Sequence, residues 1–420
     1  MRLFYSFAIA LYSFAVRVAA LFGHRKARLM ADGWRQWPQT VANLCHDRPV
    51  AWFHAASLGE FEQARPVLEA YRLQHPDSSI LLTFFSPSGY EVRRHYPLAD
   101  AVCYLPPDTL RSSRRFADAV RADVAFFVKY DFWFNHLDAL RRRSTPTYLF
   151  SAIFRPNQYF FAWYGCWFRR QLASCYTHIF VQNSQSLALL QSHGVGQCSL
   201  AGDTRFDRVH QIALAAEPDP IVEGFLRGSE GQVMVCGSTW PPDEELLARL
   251  ADEWPQLRII LAPHVISQNH LLQIEHLLKR TVRYSALKDI ENPASLLNPV
   301  GTAPASILLI DNIGLLSKLY RYATVAYIGG GFGAGIHNIL EAVTFGKPVL
   351  FGPNHAKFQE ALDILACGGG FCHTDFVSLQ SNLSPLLTNP SALQRSSQAC
   401  LEYMQRNLGS TDIILHTIEK

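Results

Sequence analysis

The stretch VAYIGGGFGAGIHNILEAVTFGKPVLFGP, residues 325–353, decides the fold prediction. An apolar run leads into a loop that contains five glycines, Gly329, Gly330, Gly331, Gly333 and Gly335. A helical pattern follows from about Ile336 to Phe345, and a second apolar run begins after Pro348. A strand, a glycine loop, a helix and a strand in this order indicate a parallel α/β unit.

The composition of this loop suits a phosphate group. Glycine lets backbone N–H groups approach a ligand, and the N-terminus of the predicted helix would direct its unpaired N–H groups at the same place. Asn338 and Glu341 are three residues apart, so both would lie on one face of that helix, where a carboxylate could hold sugar hydroxyls.

Two other interpretations of the loop stay open. It could be a tight connection that only closes a βα unit. It could also be a dinucleotide-binding fingerprint, because Gly329, Gly331 and Gly333 alternate, but such a motif belongs on the first strand of its domain. Here the loop comes late, and the acid expected about 20 residues further on is missing, with Glu360 lying beyond that distance.

Composition restricts the class of protein. The chain has 420 residues, enough for two or three domains, and 49% of them are hydrophobic against 17% charged. A net charge of +3 is too small to indicate a nucleic-acid partner. Nine cysteines lie mostly in apolar runs without a CxxC pair, which predicts buried free thiols in a reducing compartment and no zinc site.

The first 23 residues form a separate apolar segment. A helix from Leu3 to Phe22 would be roughly 30 Å long, about one hydrocarbon thickness, although Arg17 interrupts it. Either a tilted membrane span or a helix lying in the interface is compatible with this pattern. A cleaved signal peptide is the alternative, and Arg17 argues against it. The basic residues that follow favour a cytoplasmic position for the rest of the chain.

Short apolar runs alternate with helix-length segments in both halves of the remaining chain. We predict strands at 51–55, 79–86, 101–106, 124–129, 147–152 and 178–183, a linker at about 212–230, and further strands at VMVCGS, RIILAP, ILLID, TVAYIG and PVLFG. This alternation is typical of doubly wound parallel sheets. We therefore predict an α/β protein with two Rossmann-like domains facing a cleft, with an anchor at 1–23, a first domain at 24–215 and a second at 216–420.

Glu60 is the first candidate for chemistry. Ser57 and Glu60 form an S-x-x-E pattern ahead of a helix, which is typical of a capping box. A carboxylate at the carboxyl edge of the first strand would also face the predicted cleft, where a general base belongs. The two roles are compatible.

Four segments of the sequence resemble one glycosyltransferase family. They are HAASLGEFEQARP from His54, YDFWFN from Tyr130, AGDTRFD from Ala201 and GGGFGAGIHNILEAVTFGKPVLFGPN from Gly329. Together they are similar to the 3-deoxy-D-manno-octulosonic acid (Kdo) transferases of lipopolysaccharide synthesis, over nearly the whole chain. The resemblance implies the two-domain GT-B fold and transfer of Kdo from CMP-Kdo to the lipid A precursor, lipid IVA, with inversion at the anomeric carbon.

The resemblance also implies roles for individual residues. The catalytic positions fall on Glu60 as the proton acceptor, Asp131 as a second acid and Arg205 as a cation. The nucleotide contacts fall on Pro263, His264, Ile313, Gly314, Leu315, Gly335, Asn338, Ile339, Leu340 and Glu341. The sequence departs from the family pattern at Lys129, which replaces an acid, at His264, where arginine is commoner, and at 334–336, which replace a proline-containing loop.

The chemistry of the donor agrees with these positions. CMP carries one phosphate, so its departure can be assisted by a helix N-terminus and one fixed cation. No Asp-x-Asp pair is present in a metal-binding context, so we expect no metal and no cofactor beyond the donor substrate CMP-Kdo. Simpler roles remain open: a salt bridge to Asp203 or Asp207 for Arg205, a helix start for Asp131 and a strand-end histidine for His264.

Basic and aromatic residues of the first half bear on partners. Arginines cluster at 111–115, 141–143 and 169–170, and YFFAWYGCWF at 159–168 has an interfacial composition, although solvated helix faces and a core helix explain them equally well. We expect CMP-Kdo, the lipid A precursor and an anionic membrane surface as partners, no nucleic acid, and a location on the cytoplasmic side of the inner membrane. The alternatives are a soluble GT-B sugar-nucleotide epimerase and a non-catalytic nucleotide-sugar binding protein. The number of Kdo residues transferred and the oligomeric state stay open.

Overall fold

The computed structural model describes residues 1–227, 231–288, 297 and 304–419. The chain divides into two compact units, one formed by Met1–Arg208 with the residues from Leu408 onward, the other by Val209–Asn407. The first unit therefore ends at 208, seven residues before the predicted boundary at 215. The C-terminal residues belong to the first unit, whereas the sequence placed them in the second.

The C-terminal helix Ser410–Ile418 explains this assignment. Ile414 and Leu415 are buried in a core cluster of the first unit. The carboxylate of Asp207 accepts hydrogen bonds from the backbone N–H groups of Gly409 at 2.8 Å and Thr411 at 2.7 Å, which fixes the start of the helix.

The first unit is built on a parallel sheet. Its strands are β1 Val50–Ala55, β2 Ser79–Phe84, β3 Ala101–Tyr104, β4 Val124–Val128, β5 Thr147–Ala152, β6 His178–Val181 and β7 Cys198–Leu200. Their order is β3-β2-β1-β4-β5-β6-β7. All six residues of β1 are buried, because helices cover both faces of the sheet: Trp52 packs in one core cluster and Phe53 in the other.

The second unit repeats this design. Its described strands are β8 Val233–Thr239, β9 Arg258–Pro263, β10 Thr281–Arg283, β11 Ile307–Leu309, β12 Val325–Ile328, β13 Val349–Phe351 and β14 Gly370–Cys372. They pair in the order β10-β11-β9-β8-β12-β13-β14, again all parallel. In each sheet, successive strands are added first to one side of the first strand and then to the other. The order therefore reverses between β1 and β4 and between β8 and β12. Ligands bind open α/β sheets at the carboxyl ends of strands at such a switch point.

Helices connect the strands. The helices described before β8 are α1 Arg2–Leu21, α2 Arg25–Val41, α3 Leu58–Gln74, α4 Pro87–Arg93, α5 Leu110–Val120, α6 Phe134–Arg142, α7 Cys166–Cys175, α8 Ser184–Ser192, α9 Arg205–Leu214 and α10 Pro220–Leu226. Those described after it are α11 Pro241–Glu253, α12 Gln268–Leu277, α13 Tyr284–Lys288, α14 Leu316–Leu319, α15 Leu340–Val343, α16 Gln359–Cys367, α17 Phe376–Thr388, α18 Pro390–Asn407 and α19 Ser410–Ile418. The predicted linker thus contains the end of α9 and all of α10, with 228–230 outside the described residues.

Helix α1 is long and apolar enough to cross a membrane by length and composition. One side of it is attached to the first unit: Arg2 pairs with Asp138 at 2.5 Å, and the hydroxyl of Tyr5 donates to Asp108 at 2.6 Å. The opposite side is exposed and apolar, and its large side chains are Leu3, Phe4, Phe7, Leu11, Phe14, Leu21 and Phe22.

The cysteines differ partly from the prediction. All nine are free, and five are buried, but Cys45 and Cys166 are exposed. Position in an apolar run did not decide burial at Cys166: this first residue of its helix is exposed, whereas the next two, Trp167 and Phe168, pack against the core of the first unit.

Candidate functional site

Glu60 lies at the switch point of the first sheet. It is the third residue of α3, in the first turn after β1, and it is half-buried. The side chain is therefore reachable at the sheet edge where ligands bind open α/β sheets.

The predicted capping box does not form. The Ser57 side chain makes no hydrogen bond to the backbone of α3; instead its hydroxyl donates to the carboxylate of Glu60. The S-x-x-E spacing thus brings the two side chains together without using either as a cap. The Glu60 carboxylate therefore has no capping role in α3.

Asp131 follows β4, the neighbouring strand across the switch point. Its side chain is buried, with a residue exposure of 3%, and Oδ2 has no hydrogen-bond partner among the described residues. Burial and, after it, the charge of Glu60 raise the pKa of Asp131 well above its usual value. A carboxyl group with a pKa raised in this way keeps its proton above the pH at which an ordinary aspartate loses it.

A second buried polar group lies beneath Asp131. The ring of His54 is fully buried, its Nδ1 lies 2.8 Å from the hydroxyl oxygen of Thr83, and its Nε2 lies 3.9 Å from Oδ1 of Asp131. Burial lowers the pKa of His54 to about 3, so the imidazole is neutral near pH 7. A neutral histidine beside a protonated acid avoids burying an unpaired charge.

The protonated state of Asp131 predicts a pH-dependent stability difference. At a pH above the ordinary aspartate value, the unfolded chain loses this proton while the folded chain keeps it, so folded stability falls as pH rises. Asp131→Asn mimics the neutral acid and keeps an acceptor for the Trp133 indole, which donates to Oδ1 at 3.3 Å. We expect the variant to gain stability relative to the parent between pH 4 and 7, measured by urea unfolding. A parallel pH dependence of the two proteins contradicts a protonated Asp131.

Arg205 is held by a carboxylate. Its side chain contacts Asp203 at 2.7 Å, and Asp203 also accepts a hydrogen bond from the side chain of Gln63 at 3.0 Å. Arg205 is the largest cause lowering the pKa of Asp203, against burial, which raises it. The predicted salt bridge is thus made with Asp203, whereas Asp207 binds the start of α19.

Tyr130 connects these groups. Burial raises the pKa of Tyr130; the charges of Arg155 and Arg205 lower it, and the charge of Glu60 raises it. These side chains therefore lie close to one another. Lys129, the residue before Tyr130, has a left-handed backbone with φ +59° and places its ammonium group 5.5 Å from the tyrosine ring. Strained backbone of this kind concentrates at functional sites.

The glycine loop of the second unit differs from its prediction. The helix expected over 336–345 is only α15, Leu340–Val343, so no long helix directs its N-terminus at the loop. The phosphate-binding argument from a helix dipole therefore does not apply here. Asn338 instead caps this short helix, since its Oδ1 accepts the N–H of Leu340 at 3.1 Å.

Several loop glycines are required by packing. A Cβ at Gly329 would lie 2.3 Å from the backbone oxygen of Ser238, and one at Gly331 would lie 2.5 Å from the nitrogen of Gly352. Gly333 is different: it is exposed, and a Cβ there would meet only one atom, at 3.6 Å. Gly333 therefore has steric room for a side chain, while its own N–H donates to the Gly330 carbonyl oxygen at 3.0 Å and its carbonyl oxygen accepts from the Asn354 side chain at 2.8 Å.

Asp243, in the first turn of α11, holds the loop in place. Its carboxylate is buried and accepts hydrogen bonds from Gly330 N–H at 3.0 Å, Trp240 N–H at 2.9 Å and the Tyr327 hydroxyl at 2.9 Å. Burial raises the pKa of this carboxyl, and the three donors act in the opposite direction. The strand end of β8 and the loop after β12 are thereby tied together across the switch point.

A stack of three rings covers the same edge. His264, which follows β9, lies between Trp240 and His337, with ring-centroid distances of 4.7 Å and 4.4 Å. The Trp240 indole donates to Nε2 of His337 at 3.1 Å. His264 is thus one part of an aromatic surface contributed by three strand ends. Flat exposed rings of this kind suit a nucleobase.

The remaining predicted nucleotide residues have mixed positions. Ile313 is 92% exposed, and Gly314 beside it has φ +97°. Pro263, Ile339 and Leu340 are buried, so only their backbone could meet a ligand. Asn338 donates to Glu341 at 3.2 Å, and both residues are half-buried, while the exposed fraction of Gly335 and Leu315 is also intermediate. Within the described part of the chain, no group of three or more His, Cys, Asp or Glu side chains could hold a metal ion.

Comparisons with known proteins point to one group of glycosyltransferases. The family model "3-Deoxy-D-manno-octulosonic-acid transferase (kdotransferase)" matches residues 32–208. A 3-deoxy-D-manno-octulosonic acid transferase of Bordetella pertussis is 26% identical over 97% of this chain and 98% of its own length. One of Chlamydophila psittaci is 25% identical over 81% of this chain and 78% of its own length. The matched family model and these relatives together support a Kdo transferase.

Solved structures with a similar backbone show the fold of this chain. The UDP-GlcNAc 2-epimerase of Neisseria meningitidis matches with a TM-score of 0.61 at 15% identity, covering 88% of this chain and 99% of its own. A candidate UDP-N-acetylglucosamine 2-epimerase of Listeria monocytogenes matches with a TM-score of 0.59 at 13% identity. The match covers 89% of this chain and 96% of the epimerase. The two parallel sheets and these neighbours give a GT-B fold, as predicted.

Sequence reasoning missed several polar residues of the transferase. His54, Tyr130, Trp240, Asp243 and His337 are absent from the predicted sites. Asp243 had a sequence signal, because an acidic run follows the strand end GST. Trp240 and His337 had none, since only the folded sheet brings them to His264.

Proposed function

We propose that this glycosyltransferase transfers Kdo from CMP-Kdo to the lipid A precursor lipid IVA, with inversion at the anomeric carbon, in the assembly of the lipopolysaccharide core. Glu60 is the general base of the reaction. The observation that carries this proposal is the pair of carboxylates at the first switch point, one half-exposed and one buried. The match of residues 32–208 to the Kdo transferase family model, and the similarity to a Kdo transferase of Bordetella pertussis, support the sugar that is transferred.

The reaction needs one proton acceptor. A hydroxyl oxygen of the acceptor forms a bond to the anomeric carbon of Kdo, the bond from that carbon to the phosphate oxygen breaks, and CMP leaves with the electron pair. The hydroxyl proton passes to the carboxylate of Glu60. Asp131 is a weaker candidate for this base, because burial keeps it protonated and its side chain has almost no exposed surface.

The second unit supplies the donor site in this proposal. The exposed glycine at 333 lets the single phosphate of CMP approach the loop closely, and the ring surface of Trp240, His264 and His337 suits the cytosine base. The carboxylate of Glu341 suits a ribose hydroxyl. Arg205 is the proposed cation for the departing phosphate, and Asp203 orients its guanidinium group.

Donor selectivity tests the assignment against a sugar-nucleotide epimerase. The full-length protein is incubated with lipid acceptor and either CMP-Kdo or UDP-N-acetylglucosamine, and the mass of the lipid is followed. We expect the lipid to gain the mass of Kdo with the first donor and no change with the second. Conversion of UDP-N-acetylglucosamine to an isomer, with no lipid product from CMP-Kdo, overturns the proposal.

We also propose that α1 lies in the cytoplasmic interface of the inner membrane and does not cross it. The polar contacts of Arg2 and Tyr5 hold the start of the helix against the first unit, and further along the Tyr12 ring stacks on Phe85 with centroids 6.2 Å apart. The opposite side is apolar and exposed. A helix attached in this way presents its apolar face to the acyl chains in the plane of the interface. The exposed Trp163, in the segment next to α7, adds an aromatic side chain typical of that zone.

Two charges on the exposed face should detach the protein. Phe7 and Leu11 are 67% and 58% exposed, so Phe7→Glu with Leu11→Glu adds charge without disturbing the core. We expect the double variant to move from the membrane pellet to the soluble fraction while its melting temperature stays nearly unchanged. Tyr5→Phe is the matched control, since it removes the bond to Asp108 and leaves the apolar face intact. Continued sedimentation of the charged variant with membranes contradicts the interfacial position.

A further inference from the structure

A cavity of about 390 Å³ lies between α1, α2 and the start of α5 in the first unit. Three arginines line it: Arg17 from α1, and Arg111 and Arg115 from α5. None of the three has a carboxylate within salt-bridge distance among the residues that the structure describes, and no acidic residue lines the cavity. Such a concentration of unneutralised positive charge favours an anionic ligand.

Uncharged donors point to the same chemistry. Trp34 also lines the cavity; it is 6% exposed, and its indole N–H has no acceptor within the described ranges. Buried indole N–H groups ordinarily find a partner, so this donor is available to a ligand oxygen. The eleven-residue helix α5 begins at the cavity, but its start is already satisfied: Thr109 caps it, and the carboxylate of Asp108 accepts a hydrogen bond from the Ser113 hydroxyl at 3.0 Å. The positive charge of the cavity therefore comes from the three arginines.

The surroundings of the cavity select an amphiphilic anion. Phe14 lines it from α1 and is 65% exposed, and it continues the apolar face formed by Phe7 and Leu11. A free phosphate would use the arginines but not this face. A phosphorylated lipid would use both, with its headgroup among the arginines and its acyl chains along α1.

We propose that this cavity is a binding site for the phosphate headgroup of an anionic membrane lipid. The proposal rests on the interfacial position of α1 proposed above and is independent of the transfer reaction. Arg17, Arg111 and Arg115 neutralise the headgroup charge, and the Trp34 indole donates to one of its oxygens. Membrane attachment then depends on lipid charge through a defined site as well as on the apolar face.

Single substitutions on α5 separate a defined site from general surface charge. Arg111→Ala and Arg115→Ala each remove a charge that lines the cavity, whereas Arg114→Ala removes an equally exposed charge on the same helix that does not line it. The measurement is binding of the full-length protein to vesicles of phosphatidylcholine with and without phosphatidic acid, at constant ionic strength. Arg111 is the cleaner position, because Arg115 also lies over the Trp37 ring at 5.7 Å.

We expect the parent to bind more tightly to the vesicles that contain phosphatidic acid. In Arg111→Ala the ratio of the two affinities should fall about tenfold, the size of one hydrogen bond to a charged group. Arg114→Ala should lose less than about twofold, and Trp34→Phe should weaken binding to anionic vesicles only. Equal losses in the Arg111 and Arg114 variants overturn the site in favour of diffuse attraction. Competition by millimolar inorganic phosphate at the same strength as the lipid overturns the lipid assignment. A parent protein that binds both vesicles equally overturns the headgroup site while leaving the interfacial helix in place.

Discussion

Glu60→Gln is expected to lower the rate of Kdo transfer roughly a hundred- to ten-thousand-fold, which is the usual contribution of a positioned general base. Glutamine keeps an acceptor for the Ser57 hydroxyl but cannot take a proton from the acceptor substrate. The melting temperature should stay nearly unchanged, because the Glu60 side chain caps no helix and is half-exposed. Initial rates of lipid product formation and thermal unfolding, measured on the same preparations, check both parts.

Ser57→Ala is the control for this variant. Its hydroxyl contacts only the Glu60 carboxylate and no backbone donor of α3, so the stability cost should be below the 0.5–2 kcal/mol of a lost helix cap. The rate should fall far less than in Glu60→Gln. Near-parental transfer by the glutamine variant would assign the base to another group. A collapse of the rate in Asp131→Asn would make Asp131 that group.

Gly331→Val is expected to destabilise the second unit strongly. A Cβ at this position would lie 2.5 Å from the backbone nitrogen of Gly352. Gly331 and Gly352 follow neighbouring strands, and their backbone cannot move aside as a flexible side chain can. Overpacking of this kind costs about 1–3 kcal/mol or more. Urea unfolding followed by circular dichroism measures the loss. A stability close to the parent's contradicts the packing role.

Gly333→Val separates packing from binding. The site is exposed, and a Cβ would meet no atom closer than 3.6 Å, so this variant should fold like the parent. We expect calorimetry to show at least tenfold weaker CMP binding, because the added side chain covers the backbone proposed to meet the phosphate. An unchanged CMP affinity in a folded Gly333→Val protein would move the phosphate site away from the loop.

The sheets could be predicted from the sequence because their strands are buried on both faces. Runs such as VAWFHA at 50–55 and VAYI at 325–328 are apolar without alternation and lie between turn residues. The three-residue strands β7, β10 and β14 were missed because they contain a polar residue or glycine, whereas β11 and β13 are equally short but wholly apolar and were predicted.

The helix at 336–345 shows where local pattern fails. Ile336, Ile339 and Leu340 have helical spacing, and all three are buried, but the first two lie in irregular backbone before α15. The glycine loop is fixed by tertiary contacts that the segment does not contain, above all the bond from Gly330 N–H to Asp243. Tertiary structure therefore overrides the propensity of this segment.

The candidate site was predictable where its residues directly follow predicted strands. Glu60 and Asp131 follow neighbouring strands, so their proximity follows from strand order once the switch point lies between β1 and β4. The stack of Trp240, His264 and His337 was not predictable, because its members follow three different strands and no periodicity relates them. The protonation of Asp131 likewise depends on burial, which the motif does not show.

Acceptor-dependent release of CMP tests the central claim most directly. The full-length protein is incubated with CMP-Kdo in detergent, with and without lipid IVA, and CMP and lipid product are quantified together. The account predicts that CMP appears only when lipid IVA is present, in step with lipid carrying newly attached Kdo. CMP release at the same rate without lipid IVA, or no release with it, would contradict the account.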